Sequence, residues 1–201
     1  MTKDDFTNTA YSYFPKGIDA ISQYDAYMNS PEFGKLSNHC SLFYDREETG
    51  EFDGFYESVR LLDVSKNFHI VNLFHLGDRA FNLQLAETKG TKHYYICLNV
   101  SIIGPYYLIY VLELDISHAL VEPVDFLRPG YKPPARNIEM EDHYASLLQK
   151  MGNVAESTFN VKPFPQNLLH TVLPDLTLET IRSGNFTFFN AFFLDDYQYR
   201  L

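Results

Sequence analysis

Tyr94-Tyr95-Ile96-Cys97-Leu98-Asn99-Val100-Ser101-Ile102-Ile103-Gly104-Pro105-Tyr106-Tyr107-Leu108-Ile109-Tyr110-Val111-Leu112 carries no charge from end to end. Its length alone allows a membrane-spanning helix, which needs roughly 20 apolar residues. Its composition points elsewhere. Gly104-Pro105 is a turn dipeptide, and Pro105 lacks the N–H that a continuous helical ladder requires. Asn99 and Ser101 interrupt the apolar character, and the remainder is Tyr, Ile and Val, which favour a pleated surface. No cluster of Lys or Arg marks one flank as the cytoplasmic side of a span. The run therefore reads as an antiparallel hairpin, Lys92–Ile103 and Tyr106–Leu114, without membrane insertion. Neither strand alternates cleanly with polar residues, so both faces of the sheet are expected to be covered.

Segments before the hairpin extend the sheet. Glu57–Val64 and Phe68–Leu76 are strand candidates. Arg79–Glu87 alternates Phe81, Leu83 and Leu85 with Asn82, Gln84 and Ala86, the period-two pattern of a half-buried strand. Gly77-Asp78 and Thr88-Lys89-Gly90-Thr91 supply turns, so consecutive strands form a meander. Helices flank this block. Ile18, Ile21, Tyr24, Tyr27 and Met28 recur at helical spacing over Asp19–Met28. Ser30-Pro31-Glu32 starts a second helix, with Ser as N-cap, Pro at the first position and an acid in the first turn, running to about Leu36. Asn137 caps the strongest helix, whose apolar stripe is Met140, Tyr144, Leu147, Leu148, Met151, Val154 and Ala155. Pro123, Pro129, Pro133 and Pro134 mark an irregular connection over about 117–136. Pro163, Pro165 and Pro174 mark another irregular stretch, and Phe186–Leu194 reads as a closing strand before a polar tail. The expectation is one α+β domain over residues 1–201, an antiparallel β-meander packed against a few helices.

Composition narrows the function classes. A chain of 201 residues can bury a core without disulfides or metals. Its 17 Phe and 15 Tyr, with no Trp, promise a ring-rich core and leave room for aromatic contact surface. Two cysteines, Cys40 and Cys97, make no disulfide framework. Met1–Phe6 has no apolar signal region, so a reducing cytoplasm is the expected compartment. The formal charge of −10 argues against direct binding of nucleic acid and suits a basic protein partner.

No motif announces catalysis. Gly-x-Ser-x-Gly, the phosphate-binding Gly-x-x-x-x-Gly-Lys-Ser/Thr and Gly-x-Gly-x-x-Gly are all missing from the sequence. His39-Cys40 places a thiol next to a base, but adjacent residues seldom face one another. His69/His75 and His93/Cys97 lack a further ligand at zinc spacing. Asp195-Asp196 and the group Glu139, Glu141, Asp142 and His143 are candidate carboxylate sites, but capping and solvation explain them with less. No cofactor and no metal are expected.

The densest charge lies at 45–57, with Asp45, Glu47, Glu48, Glu51, Asp53 and Glu57 against a single Arg46. Asp45, Glu47, Thr49 and Gly50 imitate the first half of a calcium loop, whose sharp turn needs Gly at that position. The twelfth position should hold a bidentate acid, and Tyr56 occupies it instead. A solvated acidic turn is one alternative. The other is a partner-binding face built from Asp45, Glu47, Glu48, Glu51 and Asp53, with Phe52, Phe55 and Tyr56 as aromatic anchors inside a charged rim.

Tyr13-Phe14-Pro15-Lys16-Gly17, Ile102-Ile103-Gly104-Pro105-Tyr106-Tyr107 and Phe192-Phe193-Leu194-Asp195-Asp196 sit in an acidic, aromatic-rich α+β chain. In this the chain resembles the bacterial immunity proteins that neutralise polymorphic or secreted toxins. The resemblance implies binding to a cognate toxin in the producing cell, often by blocking its active site, and carries over no functional residue. An enzyme of unrecognised family, hydrolase-like, and an interaction subunit of a larger assembly are the alternatives.

Overall fold

The computed structural model describes residues 2–62, 68–115 and 135–195. The uncharged run is the expected hairpin. Strands β1 (His69–Asn72), β2 (Ala80–Lys89), β3 (Lys92–Ser101) and β4 (Tyr106–Asp115) form an antiparallel meander in that spatial order. Two short strands complete the sheet on β4: β5 (Ala135–Arg136) antiparallel and β6 (Lys162–Pro163) parallel. No helix among the described residues is long and apolar enough to cross a membrane. Most of the proline-rich connection expected at 117–136 lies outside the described residues, and so does the tail after Asp195.

Helices sandwich the sheet. Phe81, Leu83 and Leu85 of β2, Ile96, Leu98 and Val100 of β3, and Tyr107 and Val111 of β4 face helices α4 (Asp53–Arg60) and α6 (Ala145–Phe159). Ala80, Cys97, Leu108, Tyr110 and Leu112 point the other way. They pack with α1 (Lys3–Tyr11), part of α3 (Pro31–Glu48), and α7 (Phe188–Phe192) with the chain leading into it. Both faces are covered, as the weak alternation of the hairpin required. The half-buried reading of β2 needs correction, because Asn82 and Gln84 are buried along with their apolar neighbours.

Local capping chemistry explains what was read well. Ser30 is the N-cap of α3, its Oγ accepting from Phe33 N at 3.2 Å, with Pro31 in the first turn. Asn137 caps α5 (Ile138–His143) through Met140 N at 3.0 Å. The expected long helix bends at Tyr144 and resumes as α6, which buries Leu147, Met151 and Ala155.

Four further expectations are corrected. Asp19–Met28 is helical only over α2 (Tyr24–Met28), because the Asp19 carboxylate accepts from Ile21 N and Ser22 N at 3.1 and 2.7 Å and holds a turn instead. α3 continues well past Leu36 to Glu48, since Leu36, Cys40 and Phe43 keep the helical period. Within Glu57–Val64, the residues through Arg60 belong to α4 and not to a strand: Phe52, Phe55, Tyr56 and Val59 recur at helical spacing, and Phe55 and Val59 are buried. Phe186–Leu194 contains α7, started by a capping box between Thr187 and Asn190.

Candidate binding surface

The acidic segment is not a loop. Asp45–Glu48 form the last turn of α3, and Gly50, at φ +78°, closes the helix. Gly50 N donates to Glu47 O at 2.9 Å and Glu51 N donates to Arg46 O at 3.1 Å. These two bonds are the helix-ending pattern that favours a left-handed glycine. The glycine that suggested a calcium turn is therefore a helix stop. The acids before it are spread around a helix instead of converging on one point, and no cluster of three potential metal ligands occurs among the described residues.

The eight predicted residues divide into three groups. Phe52 and Phe55 are core side chains. Phe52 lies 5.0 Å from the ring of Phe43 and 5.0 Å from that of Phe159, and Phe55 lies 5.1 Å from Phe159. As anchors for a partner they are withdrawn. Glu47, Glu51 and Tyr56 are committed internally. Glu47 Oε1 accepts from the Tyr56 hydroxyl at 2.9 Å and from Asn72 Nδ2 at 2.8 Å, tying α3 to α4 and to the end of β1. Burial, then the bond to Glu47, pushes the Tyr56 phenol far up from its ordinary value. Glu51 takes a fork of two bonds from Arg46, at 2.8 and 2.5 Å, which holds its carboxyl below the usual range. The Arg46 guanidinium lies over the rings of Phe43 and Phe52, 5.5 and 5.3 Å from their centroids, and roofs the core there. The third group is Asp45, Glu48 and Asp53. All three are exposed and no ion-pair partner for them occurs among the described residues, Glu48 being hydrogen-bonded to the Tyr44 phenol.

Of these carboxylates, Asp45 lines a groove of about 570 Å³, together with His39, Leu42, Phe43, Arg46 and Ile102. Leu42 is 53 % exposed, a large apolar side chain one turn of α3 before Arg46. Sequence reading missed this residue. The usable signal is that Leu42 stands off the Leu36–Cys40–Phe43 stripe and so cannot enter the core.

The other sequence candidates resolve into structural roles. Cys40 is buried and its thiol is pushed up to about 11 by burial, so it is held neutral. The neighbouring His39 ring lies 3.2 Å from Lys35 O and against Tyr13, and the two residues build no thiolate–imidazole pair. Cys97 is sealed within the sheet, and His93 shares a bond with Thr88 Oγ1 at 2.7 Å. Glu141 forks onto Arg136 at 2.6 and 2.9 Å. Asp195 pairs with Arg79 and accepts from Thr180 Oγ1 at 2.6 Å.

A second polar cluster lies at the opposite end of the sheet. The Tyr144 hydroxyl meets Glu87 Oε2, and Lys89 Nζ reaches Tyr144 Oη at 2.9 Å, Glu87 Oε2 at 2.9 Å and His143 Nε2 at 3.3 Å. Burial, then the bond to Glu87, pushes the Tyr144 phenol up to about 12. The Lys89 cation, itself exposed, joins these partners and fastens the start of α6 to the β2–β3 turn. Compared with protein families, with curated proteins and with solved structures, the chain matches none.

Proposed function

We propose that this chain is a binding protein of the immunity type, which blocks a cognate bacterial toxin by placing an acidic face in the toxin's basic cleft. The observation that carries this reading is the set of exposed carboxylates Asp45, Glu48 and Asp53, of which Asp45 lines the groove at Leu42, on a chain of net charge −10. Carboxylates without an internal cation keep their full field for a partner, which speeds encounter and repels acidic competitors. With Phe52 and Phe55 in the core, Leu42, Phe43 and Ile102 supply the apolar centre and the acids supply the rim.

The test begins with the gene next to this one. Its product is expressed alone and together with this chain, and growth is scored. Rescue of growth by co-expression is the expected result; a neighbour that is harmless alone, or a toxicity unaffected by this chain, removes the reading. With a partner in hand, Asp45→Lys/Glu48→Lys/Asp53→Lys should slow association by about tenfold or more at low salt and flatten its salt dependence, since rim charges act mainly on the on-rate. Unchanged association would move the interface elsewhere on the molecule.

A further inference from the structure

Asn82, Asn99 and Ser101 are buried on the sheet face that packs with α1 and α7, Asn99 to 0 % exposure. The register places Asn82 directly opposite Asn99 on β3, and Ser101 opposite Ala80, so the three side chains share one face within a two-residue step. Leu73 N donates to Asn82 O at 3.0 Å, so the Asn82 carbonyl is aimed at the β1 side. Asn82 and Asn99 are then a non-hydrogen-bonded pair, the kind whose side chains stand closest, with Cα atoms roughly 4.5 Å apart.

Four atoms of this group, Asn82 Oδ1, Asn99 Oδ1, Asn99 Nδ2 and Ser101 Oγ, are sealed from solvent and have no hydrogen-bond partner among the described residues. A buried polar group left unmet costs about 1–3 kcal/mol. Three such side chains together reach a sizeable part of the roughly 5–15 kcal/mol that holds a domain folded. Turning the two amides toward each other satisfies one donor and one acceptor and leaves the rest.

We propose that Asn82, Asn99 and Ser101 form an internal binding site for water. The chemistry selects the ligand. The site offers two carbonyl acceptors, an amide donor and a hydroxyl that acts either way, and its own side chains carry no charge to neutralise an ion. A small neutral molecule that both donates and accepts fits, and water does so with the about three hydrogen bonds usual for an internal water. The site anchors that water between the two central strands, in the middle of the larger core. This inference stands on the sheet alone and does not depend on the proposed function.

The unaltered protein provides the test. A crystal structure at a resolution that shows ordered water should place one within hydrogen-bond distance of at least two of the four atoms. In solution, the Asn99 side-chain amide protons should show dipolar cross-peaks to water, and these should persist in Ser101→Ala, which removes relay through the hydroxyl. Asn82→Leu/Asn99→Leu, which exchanges both amides for apolar groups of similar shape, should lose the bound water. A dry site in the crystal, with the two amides bonded to each other or turned to protein partners and no water cross-peak, overturns the proposal whether or not the double variant folds.

Discussion

Gly152→Ala should destabilise this protein, although it replaces the second-worst helix former with the best in the middle of α6. Gly152 is buried where α6 crosses β4, and a Cβ built there would stand 2.6 Å from the Tyr107 hydroxyl oxygen and 3.3 Å from Cζ. That hydroxyl donates to Glu156 Oε1 at 2.9 Å, passing over Gly152 to reach a carboxylate one turn further along the helix. The missing side chain is thus the passage for the hydrogen bond. Alanine gains about 1 kcal/mol in helix propensity. Against this, displacing the ring in a packed core costs about 1–3 kcal/mol. Losing the Tyr107–Glu156 bond costs about 1 kcal/mol more. The net loss is about 1–3 kcal/mol, read from urea or thermal unfolding, where each kcal/mol moves Tm by about 2–4 °C in a chain of this size. Tyr107→Phe removes the offending oxygen. In that background Gly152→Ala should be neutral or stabilising by up to about 1 kcal/mol, giving a coupling of about 2 kcal/mol between two residues in contact. If Gly152→Ala stabilises both backgrounds equally, the close approach of β4 to α6 is not what keeps glycine at this position.

Two further perturbations probe other parts of the core. Arg79 donates to Asn190 O at 3.1 Å and pairs with Asp195, at side-chain exposures of 14 and 15 %. Arg79→Met strands a buried carboxylate and should cost about 3–5 kcal/mol in urea unfolding, while Arg79→Met/Asp195→Leu recovers most of it; equal losses in the two variants would show that the pair itself, not the abandoned charge, carries the effect. The Cys40 thiol is raised from 9.0 to about 11 by burial, so the fold holds it neutral where the unfolded chain ionises it. Its contribution is complete below pH 9 and drains away as pH rises toward about 11, so the urea midpoint should fall over that window and fall less in Cys40→Ala; parallel profiles would show that Cys40 is not insulated.

What the sequence disclosed depended on how local the deciding chemistry was. Ser30-Pro31 and Asn137 act on N–H groups within three residues, so the starts of α3 and α5 were readable. The hairpin was readable because Gly104-Pro105 breaks a run rich in Tyr, Ile and Val. α7 is not legible in the sequence because Phe188, Phe189 and Phe192 are buried all round, and a wholly apolar run has no period to separate helix from strand. Gly50 fitted two patterns, a calcium turn and a helix stop. The tie is broken upstream, where Leu36, Cys40 and Phe43 carry the helical period into the acidic segment. In sequence Phe52 and Phe55 look equally like interface and core, because aromatic residues dominate both and composition alone does not tell the two apart. Glu87, Lys89 and Tyr144 were invisible as a group, because the bond from Tyr144 to Glu87 spans 57 positions of sequence.

The burial of Phe52 and Phe55 in the core limits what the acidic face can contribute to the proposed function. Exposed carboxylates govern how fast a partner arrives, whereas residence depends on desolvated anchors in well-packed pockets. This face has the carboxylates, but its own large rings are spent on the core. Its open apolar contact is Leu42 at the lip of the groove. An interface formed here therefore has the anchor on the other side: a partner side chain seated against Leu42, Phe43 and Ile102, with its cation paired to Asp45. Arginine is the residue that does both, since its guanidinium pairs with carboxylates and stacks on rings while its stem covers apolar surface. A basic cleft that uses arginine to hold its own anionic substrate presents that chemistry. An acidic rim beside an apolar groove would then compete for the same arginine side chains as the substrate, and inhibition would follow from occupancy alone, with no change of shape required in either protein.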